Sequence, residues 1–153
     1  MPRRSAGILP FRRSSGGLQV LLAHPGGPFW RKRDDGAWSI VKGEYGEDED
    51  AEAAARREFA EETGWPVAGP LLPLGELRQA GGKQVTGFAF EGEFEPKTPR
   101  SNLFEIEWPP RSGALQSFPE IDRVEWFDLA TARRKILPAQ APFLDRLEAQ
   151  GSR

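Results

Sequence analysis

The stretch GEYGEDEDAEAAARREFAEETGW, residues 43–65, decides how this chain is read. Its centre is rich in Ala, Glu and Arg, which lose little side-chain freedom in a helix, and this composition predicts a helix over residues 50–62. Gly64 suits the left-handed position just past a helix end, and Pro66 prevents continuation. Asp48, Glu49 and Asp50 bring negative charge to the positive N-terminal end. On such a helix Glu58, Glu61 and Glu62 stand at i, i+3 and i+4 and share one face, with Ala51, Ala54 and Ala55 a turn or two earlier on roughly the same side. Small side chains there let the helix approach a neighbouring element closely while the glutamates extend beyond it. Three adjacent carboxylates repel one another unless a cation intervenes, and oxygen-only donors favour a hard divalent ion, Mg²⁺ or Mn²⁺. Taken alone, the trio belongs more often to an ordinary solvated helix face than to a metal site.

Upstream of this helix, residues 5–12 and 18–24 are apolar-rich and separated by a Ser-Gly turn, which predicts two strands in a hairpin. A loop follows with Pro25, Phe29, Trp30 and the basic run Arg31, Lys32 and Arg33, then a short strand over 37–42. Downstream, residues 74–79, 84–94 and 102–108 read as extended, and 109–119 as a loop. Residues 124–127 read as a last short strand, and 128–136 and 139–150 as helices with Phe143, Leu144 and Leu147 on an apolar face. Glu91, Glu93 and Glu95 alternate and are expected to face solvent. There is no internal repeat, heptad run or interdomain linker. A single α/β domain over residues 1–153 is the expectation.

Composition narrows the chemistry. The chain contains no Cys and one His, His24, which excludes disulfides, thiolate zinc sites, thiol catalysis and a multi-histidine metal centre. His24 ends an apolar strand and reads as structural. No apolar run is long enough to span a bilayer and no secretory signal is evident, so a cytoplasmic protein without membrane partners is expected. The net charge of −2 gives no support to a nucleic-acid polymer as partner. That total hides an uneven distribution. Residues 1–42 hold eight Lys/Arg against two Asp/Glu, while residues 43–64 hold two against nine. A basic third abuts an acidic block, an arrangement compatible with a small polyanion held between cationic side chains and a carboxylate-bound cation.

Gly43, five residues, Glu49, seven residues, then Arg57-Glu58-Phe59-Ala60-Glu61-Glu62-Thr63-Gly64-Trp65 matches every fixed position of the Nudix box, G-x5-E-x7-R-E-U-x-E-E-x-G-U with U bulky and apolar. At these residue frequencies a chance match is on the order of one in a few hundred thousand, so the frame outweighs the solvated-face reading. With strands before the box and mixed strands and helices after it, the chain resembles Nudix pyrophosphohydrolases essentially end to end. The resemblance implies an α/β/α sandwich with a mixed sheet. It also implies Mg²⁺- or Mn²⁺-dependent hydrolysis of a pyrophosphate linkage in a nucleoside diphosphate joined to another moiety. Nucleoside triphosphates and dinucleoside polyphosphates rank first as substrates, ahead of ADP-ribose-like compounds and nucleotide sugars.

Carried onto this sequence, the resemblance makes Glu61 and Glu62 the principal metal ligands, joined by the carbonyl of Gly43. Glu58 becomes a further ligand or the base, and Arg57 orients the carboxylates with Glu49 as its partner. Phe59 and Trp65 become structural. Glu120 sits where several family members carry a loop glutamate that acts as base or extra ligand, which leaves Glu58 and Glu120 as alternatives for the base. Lys42, Arg31 and Arg33 offer counter-charge to phosphates. Trp30, Trp38, Trp108 and Phe118 are the aromatic side chains available to stack a base. Val41 stands where the family commonly has Pro. The tyrosine that follows the box in dinucleoside-polyphosphate hydrolases is absent, as are the extra motifs of NADH and coenzyme A hydrolases. A Nudix-fold module that senses a nucleotide without turnover is the competing reading, against which the intact glutamate set argues. The sequence does not separate monomer from homodimer.

Overall fold

A computed structural model describes residues 3–96 and 103–151. Strand β1 (Arg4–Ser14) is the organising element, because it is paired on both edges along its length. Its second half pairs antiparallel with β2 (Gly17–Pro25), while Ser5–Ile8 pair antiparallel with β3 (Val41–Glu44). On its other edge it runs parallel to β5 (Gln84–Glu91) in continuous register from Arg4↔Gln84 to Phe11↔Glu91. β4 (Leu72–Arg78) extends the sheet beyond β5, and β8 (Ile121–Asp128) extends it beyond β2. The sheet is therefore mixed, with order β4-β5-β1-β2-β8 and β3 sharing an edge of β1. A separate two-stranded hairpin is formed by β6 (Leu103–Glu107) and β7 (Leu115–Pro119).

Helices cover both faces, which is why β1 is apolar without alternation. Ala6 and Ile8 point toward α1 (Ala51–Thr63) and pack with Ala54, Ala55 and Phe59. Leu9 and Phe11 point the other way, into a larger core with Trp38, Phe143, Leu144 and Leu147. That core is closed by α2 (Leu129–Lys135) and α3 (Ala141–Gly151). The result is the expected α/β/α sandwich. Among the described residues no helix is long and apolar enough to cross a membrane.

The C-terminal cap of α1 is the one its sequence calls for, whereas Asp50, expected as the first helical residue, stands just outside the helix as its N-cap. Asp50 accepts a hydrogen bond from the Ala53 amide, and Gly64, at φ 81°, donates its N–H to the Ala60 carbonyl at 2.8 Å. Other expectations need correction. The third strand begins at Val41 and runs through Gly43, later than the 37–42 segment expected. Trp38 and Ser39 instead make single bridges to Ile136 and Ala23, because the C-terminal elements and β2 take up their backbone groups. Residues 115–119, expected as loop, form β7, since Phe118 faces Phe104 across the hairpin. β8 begins at Ile121 and extends well before the 124–127 segment, whereas β5 stops at Glu91. Asn102, in the segment expected to be extended, lies outside the described residues. Glu91, Glu93 and Glu95 are exposed as anticipated.

Gly87 of β5 lies beneath Phe143, where a Cβ would come within 2.7 Å of the ring. Gly87→Ala therefore overpacks the larger core and is expected to destabilise the fold by about 1–3 kcal/mol. Chemical denaturation should show a lower midpoint with an unchanged slope; an unchanged midpoint would contradict the packing described.

Candidate active site

Arg57 is the hub of the carboxylate-bearing face of α1. Its Nε and Nη2 donate to the two carboxylate oxygens of Glu49 at 2.8 Å each, a two-point fork. Its Nη1 donates to Glu58 Oε1 at 2.8 Å and lies 3.4 Å from Glu61. Glu49 stands in the turn before the helix, so the fork ties that turn to the second half of α1. The electrostatics follow from these contacts. Hydrogen bonds from Arg57 hold the Glu49 carboxyl below its ordinary pKa. Those to Glu49 and Glu58 push the guanidinium further up. Burial raises the Glu58 carboxyl, opposed by Arg57.

Glu58 is pressed against β3. A Cβ on Gly43 would lie 2.0 Å from Glu58 Oε2, so only a glycine leaves this strand's backbone open to the carboxylate. Gly43 serves by close approach, whereas Gly64 serves by its left-handed φ. Ala54 and Ala55, both fully buried, set the same short distance between helix and sheet further along α1.

Beside this contact is a cleft of ≈ 130 Å³ lined by Ala23, Pro25, Ser39, Ile40, Val41, Lys42, Glu62, Glu120 and Ile121. Glu62, on the helix, and Glu120, in the turn from β7 to β8, meet here from positions 58 residues apart. Lys42 enters from β3. Burial, with Lys83 as a second cause, lowers the pKa of its ammonium group. The cleft thus joins a cation to two carboxylates.

Of the residues singled out from sequence, Gly43, Arg57, Glu58 and Glu61 form one connected set, and Lys42, Glu62 and Glu120 share the cleft. Arg31, Arg33 and Trp30 do not line it. They lie on the loop beyond Pro25, with the Arg33 guanidinium 5.5 Å from the centre of the Trp30 ring. Trp38 is not available to stack a ligand, being 1% exposed with its indole N–H donated to Asp34. His24 is buried between Asp122 and the Arg33 carbonyl, at 2.9 and 2.6 Å, in agreement with a structural role. Phe59 and Trp65 are structural too, packed with Phe94.

Sequence reasoning passed over Gln140. This fully buried amide accepts from the Ile40 N–H at 3.0 Å and donates to Ser39 Oγ at 3.1 Å, fixing two residues of the cleft wall. A lone Gln between two helical segments carries no local signal, because its partners are about a hundred residues away.

The donor set suits a hard divalent cation in kind. Glu58, Glu61 and Glu62 offer only oxygen, and Gly43 keeps its backbone free of a side chain. Among the described residues no three acidic or histidine side chains stand close enough together to enclose an ion. The Arg57 guanidinium holds Glu49, Glu58 and Glu61 instead.

A mixed sheet between helical layers, with a glutamate-bearing helix lodged against a glycine strand, defines a Nudix-type α/β/α domain. The model of the NUDIX domain matches residues 1–147, and the chain belongs to that family. It is 29% identical over 159 residues to an RNA pyrophosphohydrolase of Rhodospirillum rubrum, covering 97% of this chain and 92% of that one. Two solved structures share the fold at 18% identity and a TM-score of 0.66. One is a binary complex of the Caenorhabditis elegans Ap4A hydrolase, covering 97% of this chain and 98% of that one. The other is the NUDIX domain of Shewanella oneidensis NrtR complexed with ADP ribose, covering 98% and 88%.

The Glu49–Arg57 fork has a pH signature. Because the folded pKa of Glu49 is depressed, its contribution to stability is fully present above the ordinary value of 4.5 and is lost as pH falls through the folded value. Thermal unfolding midpoints of the metal-free protein should fall less steeply below about pH 4.5 in Glu49→Gln than in the parent. Parallel curves would contradict the fork's role.

Proposed function

We propose that this protein is a divalent-metal-dependent hydrolase of a nucleoside diphosphate linked to another moiety, with nucleoside triphosphates and dinucleoside polyphosphates its foremost substrates. We further read residues 1–153 as one domain that acts on small soluble nucleotides in the cytoplasm. Hydrolysis of a pyrophosphate bond comes with the family. The names of the Rhodospirillum and Caenorhabditis proteins support the nucleotide class. The observation that carries the reading is the carboxylate face of α1, held by Arg57 and lodged against Gly43 beside the cleft of Lys42 and Glu120.

Glu58, Glu61, Glu62 and the Gly43 carbonyl are the groups that would hold Mg²⁺ or Mn²⁺, which when bound neutralises phosphate charge and acidifies a water. The remaining chemistry belongs to the chain. Lys42 binds the diphosphate with a cation that gives up little hydration on contact, since burial has already removed much of it. Arg31 and Arg33 meet charge further out, and the Trp30 ring orients Arg33. Arg57 holds Glu58 in one orientation. We assign the proton acceptor to Glu120. It is exposed in the cleft, whereas Glu58 has one oxygen engaged by Arg57 and the other against Gly43. Water attacks phosphorus in line, the P–O bond to the leaving phosphate breaks, and Glu120 takes the proton of the water. A module that binds nucleotide without turnover needs no such set of carboxylates.

A panel of nucleoside triphosphates, dinucleoside polyphosphates, ADP-ribose and nucleotide sugars, assayed with Mg²⁺ or Mn²⁺ for released mononucleotide and phosphate, tests the reading. Tight binding with no turnover of any of them would turn it to the sensor. Glu61→Gln is expected to lower kcat at least about a hundredfold, and a near-parental rate would sink the ligand assignment. In Glu120→Gln the acid limb of the pH–rate profile should flatten. An unaltered limb would return the base role to Glu58.

A further inference from the structure

β2 and β8 do not keep one register as far as the cleft. Ala23 and His24 lie opposite Val124 and Arg123, but Pro25 lies opposite Ile121, so Asp122 is an extra residue in β8. Such an insertion is a β-bulge, which re-aims the side chains around it. In an unbroken ladder Asp122 would stand opposite Pro25, with its carboxylate on the cleft face. The bulge gives that place to Ile121, which lines the cleft beside Pro25 and packs with Ala23 and Val41. Glu120 adjoins it directly, and its carbonyl accepts the Gly26 N–H at 3.0 Å. A Cβ on Gly26 would sit 1.9 Å from the Pro119 carbonyl oxygen, so the two backbones are in direct contact at this point.

His24 holds the bulged residue. Its ring is fully buried, and Trp38 stands edge-on to it with ring centres 5.1 Å apart. Nδ1 lies 2.9 Å from Asp122 Oδ1, and Nε2 lies 2.6 Å from the Arg33 carbonyl oxygen. A carboxylate and a carbonyl only accept, so the ring donates to each. The first bond turns Asp122 away from the cleft, and the second fastens the basic loop. One buried ring therefore touches the turn that carries Glu120 and the loop that carries Arg31 and Arg33.

We propose that His24 is a positioning residue for the proton acceptor: by holding Asp122 as the bulged residue of β8, it sets the backbone position from which Glu120 enters the cleft. This role rests on the hydrolase reading, in which Glu120 takes the proton of the attacking water, and it deepens that reading by naming what aims the carboxylate. A base must stand within hydrogen-bond reach of its water, so a small drift of Glu120 lowers the rate without weakening substrate binding. His24 acts here through Asp122, and its bond to the Arg33 carbonyl is not required.

The two bonds of the ring can be separated. An asparagine amide nitrogen takes the place of Nδ1 and a glutamine amide nitrogen that of Nε2. His24→Asn thus keeps the bond to Asp122, His24→Gln keeps the bond to Arg33, and Asp122→Ala removes the first bond from its other end. With the panel nucleotide that the parent hydrolyses fastest, His24→Gln and Asp122→Ala should lower kcat at least about tenfold at unchanged KM. His24→Asn should retain most of the parental rate. In a Glu120→Gln background none of the three should cost anything further, because the group they act through is gone. Equal losses in His24→Asn and His24→Gln, or losses undiminished in that background, overturn the proposal. Hydrogen exchange of the Gly26 amide, read by NMR without nucleotide, follows the same backbone position independently of turnover. It should quicken about tenfold in His24→Gln and Asp122→Ala and stay parental in His24→Asn. Parental exchange in all three variants overturns the proposal. A parent that hydrolyses no member of the panel overturns the hydrolase reading, and Glu120→Gln alone decides the base, while the exchange rates decide whether His24 sets the bulge.

Discussion

The short distance between α1 and the centre of the sheet is the constraint on which the site depends. Ala54 and Ala55 keep the helix close to β1, and the missing side chain of Gly43 lets Glu58 reach the backbone of β3. That proximity carries an electrostatic cost, because it withdraws Glu58 from water beside Glu61 and Glu49. Arg57 offsets the cost by holding all three carboxylates with one planar fork, a task a lysine ammonium cannot perform in the same geometry. Packing of small residues and pairing of charges are thus one arrangement. Loosening the helix by a single larger side chain would disperse the carboxylates as well as the core.

Much of this was legible locally. Helix α1, the acidic residues at its start and its Gly64 terminus follow from composition and punctuation within a short stretch of sequence. The shared face of Glu58, Glu61 and Glu62 follows from helical periodicity. The Gly43 frame pointed to Glu49, Glu58 and Glu61, which the structure joins through Arg57, and to Glu62, which it places in the cleft instead. The start of β3 was misread because its extent is decided by pairing with Ser5–Ile8, while Trp38 and Ser39 are claimed by Ile136 and Ala23. β7 was missed because its identity as a strand depends on Phe104 and Ile106 across the hairpin.

The cleft was the least legible part, since it is assembled from four separate segments. Lys42 and Glu62 adjoin the motif, but Glu120 arrives on the β7–β8 turn, and Gln140 braces Ser39 and Ile40 from the C-terminal third. The basic run Arg31–Arg33 was visible as charge, yet its position outside the cleft was not. That position depends on buried His24, which anchors the Arg33 carbonyl. Of the basic segment, Arg31–Arg33 lie on the loop beyond the cleft while Lys42 lines it; of the acidic segment, Glu62 lines the cleft while Glu58 and Glu61 stand beside it around Arg57.

The central claim is that the carboxylates of α1 hold the catalytic cation, and direct Mn²⁺ titration followed by electron paramagnetic resonance tests it without recourse to turnover. The parent protein should deplete the free-ion signal. The Glu58→Gln, Glu61→Gln, Glu62→Gln triple variant, verified as folded by circular dichroism, should leave that signal as in buffer. Equal depletion by the triple variant would contradict the account and move the cation elsewhere.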